Sequence, residues 1–321
     1  MKYAAAGLML LALSACSTAK IELADFVPPQ PTASAAAFTE MDARPSATVG
    51  SNPMQVAATG AASNAAVAGA ADMTRPAKGH VDAKLMTAAL PYGDSDPHHF
   101  TGIAPGDYPV HGIDISKYQG DIDWPKLRAH DISFVYIKAT EGGDHMDERF
   151  QDYWRSASRH GIPRGAYHFY YFCRSAAEQA RWFIRNVPKD ATSLPPVLDI
   201  EWNPDSPSCR KRPSAAAIRR DIRTYVQIVE RHFGKRPVIY TTPDFFRDNQ
   251  LAGAFPRNEF WLRSVAGHPD KVYPDANNWR FWQYTGTGLV PGIRGKTDID
   301  AFSGSVAEWQ DWLKTNKVRI D

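Results

Sequence analysis

The stretch Pro196-Val197-Leu198-Asp199-Ile200-Glu201-Trp202 is a short apolar run that ends in two acids and an aromatic residue. Asp199 and Glu201 are two positions apart, so on a β-strand their side chains point to the same face. Like charges held close together raise the pKa of at least one carboxyl, which then keeps a proton near neutral pH and can donate it. The pattern predicts an acid–base site at the end of a buried strand. A divalent metal cage is the alternative that uses the same residue types.

Seven other segments are also short, apolar and followed by polar residues, and helical patterns lie between several of them. Alternation of strands and helices favours a parallel sheet with right-handed crossovers, and eight strands favour closure into a barrel. Because residues 266–279 and 286–295 are rich in Gly and Pro, we predict an α/β fold, an irregular (β/α)8-type barrel lacking some helices. The predicted strands are Val110–Ser116, Ile132–Thr140, Arg164–Phe172, Pro196–Glu201, Pro237–Thr242, Phe260–Val265, Arg280–Thr285 and Lys296–Phe302, and the predicted helices are Glu148–His160, Ala176–Val187, Ala215–Phe233 and Val306–Lys314.

Acidic residues stand at the predicted ends of four strands, and the active sites of such barrels are built at the carboxyl ends of the strands. Besides Asp199 and Glu201, these acids are Asp114, Glu141 and Asp298. Aromatic residues accompany them and could stack on sugar rings, although most barrel aromatics are core residues and about half point away from the mouth. The aromatic residues are Tyr167, Phe169, Tyr170, Tyr171, Trp202, Tyr240, Trp282 and Tyr284.

The N-terminus carries an apolar run over residues 4–13 that is too short to cross a bilayer as a stable helix and is typical of a signal peptide. Leu13-Ser14-Ala15-Cys16 resembles a bacterial lipobox, whose cysteine is lipidated after cleavage. We therefore predict a lipoprotein signal peptide over residues 1–15 and membrane attachment through Cys16. The alternative is an ordinary signal peptide with an incidental cysteine. Ser17 favours the outer membrane, facing the periplasm or the surface, by resemblance to Gram-negative lipoproteins.

Ala, Pro, Ser, Thr and Gly dominate residues 27–79, with almost no periodic apolar pattern. Such a composition cannot bury enough surface to fold. We predict a disordered tether over residues 16–105, and a spacer without a selected length fits the same composition. Residues 106–321 form the remaining predicted domain, which is long and apolar enough for one substantial core.

The formal net charge is +2, and acids and bases are interspersed, so nothing predicts nucleic acid binding. We expect a monomer. With Cys16 assigned to the lipid, Cys173 and Cys209 remain and can form a disulfide in an oxidising compartment. The alternative is two unrelated buried thiols. A catalytic thiol is disfavoured because neither cysteine has an activating histidine in its surroundings.

Taken together, seven motifs in order resemble glycoside hydrolase family 25, the lysozyme-type N-acetylmuramidases, over nearly all of residues 110–313. Such an ordered set is hard to obtain by chance. The motifs are His111-Gly112-Ile113-Asp114-Ile115-Ser116, Phe134-Val135-Tyr136-Ile137-Lys138-Ala139-Thr140-Glu141-Gly142, Gly165-Ala166-Tyr167-His168-Phe169, Leu198-Asp199-Ile200-Glu201, Ile239-Tyr240-Thr241, Trp282-Gln283-Tyr284 and Asp298-Ile299-Asp300-Ala301-Phe302.

This resemblance implies hydrolysis of the β-1,4 bond between N-acetylmuramic acid and N-acetylglucosamine in peptidoglycan glycan strands, without a metal or an organic cofactor. It implies that Glu201 is the general acid/base and that Asp199 assists the reacting N-acetyl group in a substrate-assisted, retaining route. Asp114 and Asp298 are the remaining acids of the predicted site. The positions predicted to bind substrate are Lys138, Glu141, His168, Tyr170, Tyr240 and Gln283.

Two positions depart from the family pattern. Asp300 stands where the family usually has Asn, which predicts an extra negative charge beside the site. Leu262-Arg263 follows Trp261 where the family favours a small residue, which predicts an altered rim and substrate preference. Two other function classes stay open. One is a non-catalytic peptidoglycan-binding lipoprotein, against which the presence of all four acids argues. The other is a hydrolase of another polymer that contains N-acetyl sugars.

Overall fold

The computed structural model describes residues 92–265 and 267–318. The predicted signal peptide, the lipidation of Cys16 and the tether up to residue 91 concern residues outside that part of the chain. Within it, no helix is both long enough and apolar enough to cross a membrane.

All eight predicted strands are present, and they close into a barrel because the last strand pairs with the first. Two short strands are added outside the ring, one on its seventh strand and one on its second. The barrel strands are β2 (His111–Ile115), β3 (Ile132–Glu141), β5 (Arg164–Phe169), β6 (Val197–Asp199), β7 (Val238–Thr241), β8 (Phe260–Arg263), β9 (Trp279–Leu289) and β10 (Thr297–Phe302), and the added strands are β1 (Gly93–Asp94) and β4 (His145–Met146).

The four predicted helices are also present, and one of them closes the amino end of the barrel. Trp309 and Trp312 of this last helix pack on Phe302 and Phe281, with ring centres 5.1 and 5.3 Å apart. Three helices of one or two turns were not predicted, because so few residues show no full helical period. The helices are α1 (Trp124–Ala129), α2 (Phe150–Arg159), α3 (Ala176–Asn186), α4 (Ala215–Phe233), α5 (Pro243–Asp248), α6 (Pro269–Val272) and α7 (Val306–Thr315).

The direction of the last strand differs from the predicted parallel arrangement. β10 runs antiparallel to both β9 and β2, whereas the other neighbours in the barrel pair in parallel. Residues 290–296 join β9 to β10, and so short a connection forms a hairpin rather than a crossover. The start of β10, and not its end, therefore lies beside the carboxyl ends of the other strands, which together form the opening that we call the mouth.

Large aromatic side chains fill the amino-terminal half of the barrel. Phe134, Tyr136 and Trp261 are buried there, and two glycines make room for the first two. A Cβ atom on Gly112 would lie 2.4 Å from the Phe134 ring, and one on Gly165 would lie 2.1 Å from the Tyr136 ring. Because this half is filled by side chains, the polar side chains that point into the barrel from the carboxyl ends of the strands lie together at the mouth.

Residues 92–105 pack on the barrel, upstream of the predicted domain boundary at residue 106. β1 pairs with the end of β9, and the buried Tyr92 donates its hydroxyl hydrogen to the carbonyl of His130 (2.9 Å). The Phe100 ring meets the Trp282 ring edge to face at 5.4 Å. Composition does not reveal this segment because a few anchoring side chains, rather than a periodic apolar pattern, hold it in place.

Candidate active site

A chain of hydrogen bonds links three strands at the mouth. The Tyr240 hydroxyl of β7 donates to Gln283 Oε1 of β9 (2.8 Å), and Gln283 Nε2 donates to Asp114 Oδ2 of β2 (2.7 Å). All three side chains are buried. An amide has its acceptor and its donors on different atoms, so Tyr240 holds Gln283 in the orientation that aims a donor at Asp114. The carboxylate of Asp114 is therefore held in one place.

Asp298 lies beside Asp114 because β10 is antiparallel to β2. The two residues are direct partners in the β2–β10 register, at the mouth end of both strands. Gly286 on β9 leaves space beside them, since a Cβ atom there would lie 3.1 Å from Asp298 Oδ1. The prediction that Asp298 belongs to the acid cluster therefore depends on a strand direction opposite to the predicted one.

Asp199 and Glu201 lie on the other side of the mouth. β6 ends at Asp199, which is aligned with Tyr240 of β7. Between the two acids, Ile200 is completely buried and its N–H donates to the Tyr240 carbonyl (3.1 Å), whereas both acids are partly exposed. Burial, followed by the charges of Glu201 and Asp199, raises the pKa of Tyr240 well above its ordinary value. Tyr240 is therefore a neutral hydrogen-bond donor whose pKa depends on the charges of both acids.

Asp300 lies one step deeper than Asp298 and is completely buried. Its Oδ1 accepts a hydrogen bond from Trp261 Nε1 (2.8 Å), and its Oδ2 has no hydrogen-bond partner in the described part of the chain. Burial and the charges of Asp114 and Asp298 raise the pKa of Asp300 well above its ordinary value. Both causes favour the protonated carboxyl, which carries no charge and has a hydrogen-bond donor, as an Asn amide has. The extra negative charge expected from the sequence is therefore disfavoured here.

The sequence profile of the glycosyl hydrolases family 25 matches residues 113–293, which is more than half of the chain. The chain belongs to glycosyl hydrolase family 25. It is therefore a glycoside hydrolase, and the mouth with its carboxylates is the candidate active site of a family 25 enzyme. No group of three or more His, Cys, Asp or Glu side chains that could hold a metal ion occurs in the described ranges.

Several known proteins resemble the chain over most of its folded part. The uncharacterized protein YegX of Escherichia coli (strain K12) is 36% identical over 228 residues, covering 69% of this chain and 80% of that protein. Lysozyme M1 of Streptomyces globisporus is 36% identical over 212 residues, covering 64% and 72%. The structure of a family 25 glycosyl hydrolase from Bacillus anthracis matches with a TM-score of 0.58 at 32% identity, covering 68% of this chain and 98% of that one. The predicted barrel fold is thereby confirmed.

Lys138 and Glu141, predicted to bind substrate in this family 25 enzyme, form an ion pair at the end of β3. Lys138 Nζ lies 2.5 Å from Glu141 Oε2 and 4.9 Å from the centre of the Phe169 ring. Burial opposes ionisation of Glu141, but the charge and hydrogen bond of Lys138 outweigh it and lower the pKa of Glu141. The pair is half-buried and charged, and it shares the β3–β5 side of the mouth with Phe169.

His168 and Tyr170, also predicted to bind substrate, lie outside the barrel, between it and the helices. His168 is completely buried, with Nδ1 2.7 Å from Thr140 Oγ1 and Nε2 3.1 Å from Gln179 Oε1. The buried Tyr170 directs its hydroxyl to Asp221 of α4 (3.3 Å). The sequence placed both on a strand that reaches the mouth, but their side chains take its outer face. The Tyr170 N–H donates to the Asp199 carbonyl (2.9 Å), but neither side chain points into the mouth, which argues against their predicted role in substrate binding in this family 25 enzyme.

The Cys173–Cys209 disulfide predicted from cysteine usage is present. It joins the loop after β5 to the loop after β6, and Glu201 lies at the beginning of the second loop. Trp202 in that loop packs on Phe245 of α5, with ring centres 4.8 Å apart. The disulfide and this contact hold the loop at the carboxyl ends of the strands in the family 25 barrel.

The sequence motifs missed the Trp261–Asp300 contact and did not say to which face of the barrel Arg263 points. The Trp261 indole N–H fixes Asp300, and the side chain of Arg263 follows on the same face of β8. Alternation along β8 is the signal that could have found Arg263, since residues two apart on a strand share a face.

Proposed function

We propose that this family 25 hydrolase is a lysozyme-type N-acetylmuramidase that cleaves the β-1,4 bond between N-acetylmuramic acid and N-acetylglucosamine in peptidoglycan. The observation that carries the proposal is the gathering of carboxylates at the barrel mouth, with Asp114 oriented by Gln283. The similarity to Lysozyme M1 supports the same substrate class. Glu201 is the general acid/base, and Asp199 assists the N-acetyl group of the substrate.

In the first step, Glu201 donates its proton to the glycosidic oxygen as the bond from that oxygen to C1 breaks. The carbonyl oxygen of the substrate's own N-acetyl group forms a bond to C1 on the opposite side, and Asp199 accepts the hydrogen bond of the N-acetyl N–H. In the second step, Glu201 removes a proton from water, whose oxygen attacks C1 and releases the acetyl oxygen. Two displacements at C1 retain its configuration.

The remaining polar groups stabilise positive charge on the sugar. The carboxylates of Asp114 and Asp298 lie together on the β2–β10 side, and a preorganised charge is worth more in a partly dry site than in water. The Tyr240–Gln283–Asp114 hydrogen bonds keep Asp114 from turning away, so little reorganisation is needed during the reaction. Lys138 and Glu141 are the rim groups that contact the neighbouring sugars.

A decisive test is digestion of purified peptidoglycan by the full chain in detergent, beside the Glu201→Gln, Asp199→Asn and Glu148→Gln variants. The side chain of Glu148 is 73% exposed, so Glu148→Gln is the matched control for loss of a glutamate charge. The products are reduced and identified by mass spectrometry. Muropeptides that end in reduced muramic acid from the wild type and the control, with at least about 100-fold less from Glu201→Gln, support the proposal.

Other outcomes select the alternatives. Reduced N-acetylglucosamine ends would identify a different cleaved bond, and cleavage of chitin-like polymers alone would identify another substrate. Binding to peptidoglycan without any release of fragments, by a protein with an intact melting transition, would identify a non-catalytic binding lipoprotein.

Action on peptidoglycan implies a place in the cell envelope or outside the cell, and we propose that a lipid on Cys16 holds the enzyme there. The lipobox-like residues before Cys16 support this proposal. Cell fractionation of the wild type and Cys16→Ser tests it. The wild type is expected in the membrane fraction, facing the periplasm or the surface, and the variant in the soluble fraction. The same distribution of the wild type and the variant between the membrane and soluble fractions would contradict attachment through Cys16.

A further inference from the structure

Arg263 ends β8 with its side chain on the inner face of the barrel. Two residues earlier, Trp261 points inward and donates its indole N–H to Asp300, and Leu262 between them is completely buried on the outer face. In the β8–β9 register Arg263 is paired with Gln283, whose side chain reaches Asp114 at the mouth. Alternation and register therefore both direct Arg263 into the mouth.

The backbone of Arg263 is held on both sides. The Tyr273 hydroxyl donates to the Arg263 carbonyl (2.6 Å), and the N–H of Ser264 donates to the Gln283 carbonyl (2.9 Å). The side chain itself is partly exposed. A partly exposed cation on a fixed backbone is a suitable group for binding a ligand, because little order is lost when it binds.

The charges of Arg263 and Glu201 both act on two buried hydroxyl groups near the mouth. These are the hydroxyl groups of Tyr240 and Tyr273. Burial raises the pKa of each tyrosine, the charge of Glu201 raises it further, and the charge of Arg263 lowers it. Both charges therefore lie within reach of the same two hydroxyl groups.

Two lysines near this end of the barrel each have a close carboxylate partner. Lys138 lies 2.5 Å from Glu141, and Lys117, just beyond β2, lies 3.1 Å from Glu148. A planar guanidinium binds a carboxylate through two parallel hydrogen bonds, which neither lysine can do. Arg263 brings that geometry to the mouth, where its register partner Gln283 contacts Asp114.

We propose that Arg263 binds a carboxylate of the substrate next to the bond that is cut, and so selects glycans that contain muramic acid. This inference rests on the proposed function. N-acetylglucosamine is uncharged, whereas muramic acid carries a lactyl arm that ends in a carboxylate or, when the arm is amidated by a stem peptide, in peptide carboxylates. The shared chemistry is a carboxylate on the lactyl arm, and Arg263 is a specificity-determining residue for it.

The test compares Arg263→Ala and Arg263→Lys with the wild type on three substrates. These are intact peptidoglycan, peptidoglycan whose stem peptides have been removed by an amidase to free the lactyl carboxylates, and either material after carbodiimide coupling to methylamine, which neutralises the carboxylates. Arg155→Ala is the matched control, since Arg155 on α2 is 60% exposed and pairs with Asp152. Melting transitions check that each variant is folded.

Arg263→Ala is expected to lower kcat/KM about 10- to 100-fold on the carboxylated substrates, and Arg263→Lys is expected to lower it less. Neither variant is expected to lower kcat/KM on the neutralised substrates. A larger loss on amidase-treated strands identifies the free lactyl carboxylate as the bound group, and a larger loss on intact strands identifies the stem peptide. Equal losses on charged and neutralised substrates, or no loss, would overturn the inference.

A binding measurement separates this inference from the proposed function. Titration of Glu201→Gln with soluble amidase-treated strands, with and without Arg263→Ala, reports the carboxylate contact without turnover. If the wild type cuts nothing, the proposed function fails, yet a 10- to 100-fold weaker Kd for the Arg263→Ala form still supports the carboxylate site. An unchanged Kd rejects that site even in an active enzyme.

Discussion

Asp300 shows how a residue's surroundings can reverse the charge that its type suggests. Inside the barrel it lies near Asp114 and Asp298, and a third carboxylate in that place would be strongly disfavoured. The proton that it keeps makes it a neutral hydrogen-bonding group, as Asn would be. The unfolded chain, by contrast, loses this proton above about pH 4.

This difference predicts that Asp300→Asn stabilises the protein at neutral pH. The folded-state pKa of Asp300 is raised, so the folded chain binds more protons than the unfolded chain, and the contribution of Asp300 to stability falls as pH rises above about 4. An Asn at position 300 does not titrate, so its contribution to stability does not fall with pH. We expect Tm at pH 7 to rise by about 2–4 °C, or ~1 kcal/mol, with a smaller difference near pH 4.

Calorimetric scans from pH 4 to 8 measure the effect, with Asp311→Asn as the control. The side chain of Asp311 is 75% exposed on α7, so its replacement tests for a general effect of one charge fewer. A Tm of Asp300→Asn that is lower than that of the wild type at pH 7 would show that the carboxyl is ionised in the folded protein.

Gln283 is the residue whose amide makes the Tyr240–Gln283–Asp114 chain possible. Gln283→Glu keeps the size but replaces the donor to Asp114 with a second carboxylate oxygen. We expect kcat/KM on peptidoglycan to fall about 10- to 100-fold because Asp114 loses its orientation. Gln310→Glu on the exposed side of α7 is the control. Wild-type rates for Gln283→Glu would show that Asp114 needs no orienting donor.

At the scale of secondary-structure elements, His168 joins β5 to β3 and α3. Gln179 donates its Nε2 to two backbone carbonyls, so its Oε1 is an acceptor and His168 Nε2 must carry the hydrogen. Burial lowers the pKa of His168 to about 4, and the imidazole is neutral in the folded protein. The side chain therefore fastens the helix layer to the barrel instead of binding sugar.

The same contacts predict a loss of stability in acid. The unfolded chain protonates His168 near pH 6.5, whereas the folded chain does so only near pH 4, so stability falls as pH decreases through this window. The buried His111, whose pKa burial also lowers to about 4, adds to the effect. We expect the His168→Gln variant to have a lower Tm than the wild type at pH 7. Between pH 6.5 and 4, its Tm is expected to decrease by less than that of the wild type. Parallel curves for the two proteins would contradict this assignment.

The Cys173–Cys209 disulfide constrains the loops after β5 and β6. The cysteines are 36 positions apart, and closing a loop of that size stabilises a fold by about 3–4 kcal/mol in the chain-entropy treatment. We expect the Cys173→Ser/Cys209→Ser double variant to lose about that much in denaturant titrations. A reducing agent should lower the wild type to the level of the variant, and a wild type insensitive to reduction would show that the bond contributes little.

At the scale of the whole molecule, the segment 92–105 completes the folded unit. A chain that begins at residue 106 lacks the β1–β9 pairing, the Tyr92 hydrogen bond and the Phe100–Trp282 contact. We expect its Tm to be several degrees below that of a chain that begins at residue 80, since each kcal/mol lost corresponds to about 2–4 °C at this size. Equal Tm values would mean that the segment adds no stability.

Much of the architecture follows from the sequence alone. Short apolar strands, longer amphipathic helices and caps such as Ser305 with Glu308 are local features, and local side-chain periodicity is enough to predict them. For Asp199 and Glu201 the two-residue period of a strand predicts a shared face, and this stays a prediction because β6 ends at Asp199.

Tertiary structure decided what local periodicity leaves undetermined. A strand has the same alternation in either direction, so only the pairing of β10 with β2 and β9 placed Asp298 at the mouth and Asp300 below it. Alternation also does not say which face of β5 is inside, and packing against α3 and α4 put His168 outside. The protonation of Asp300 depends on burial among distant acids. The sequence by itself determined which side chains share a face, and the closed barrel determined which face points to the site, because burial and charge are properties of residues brought together from far along the chain.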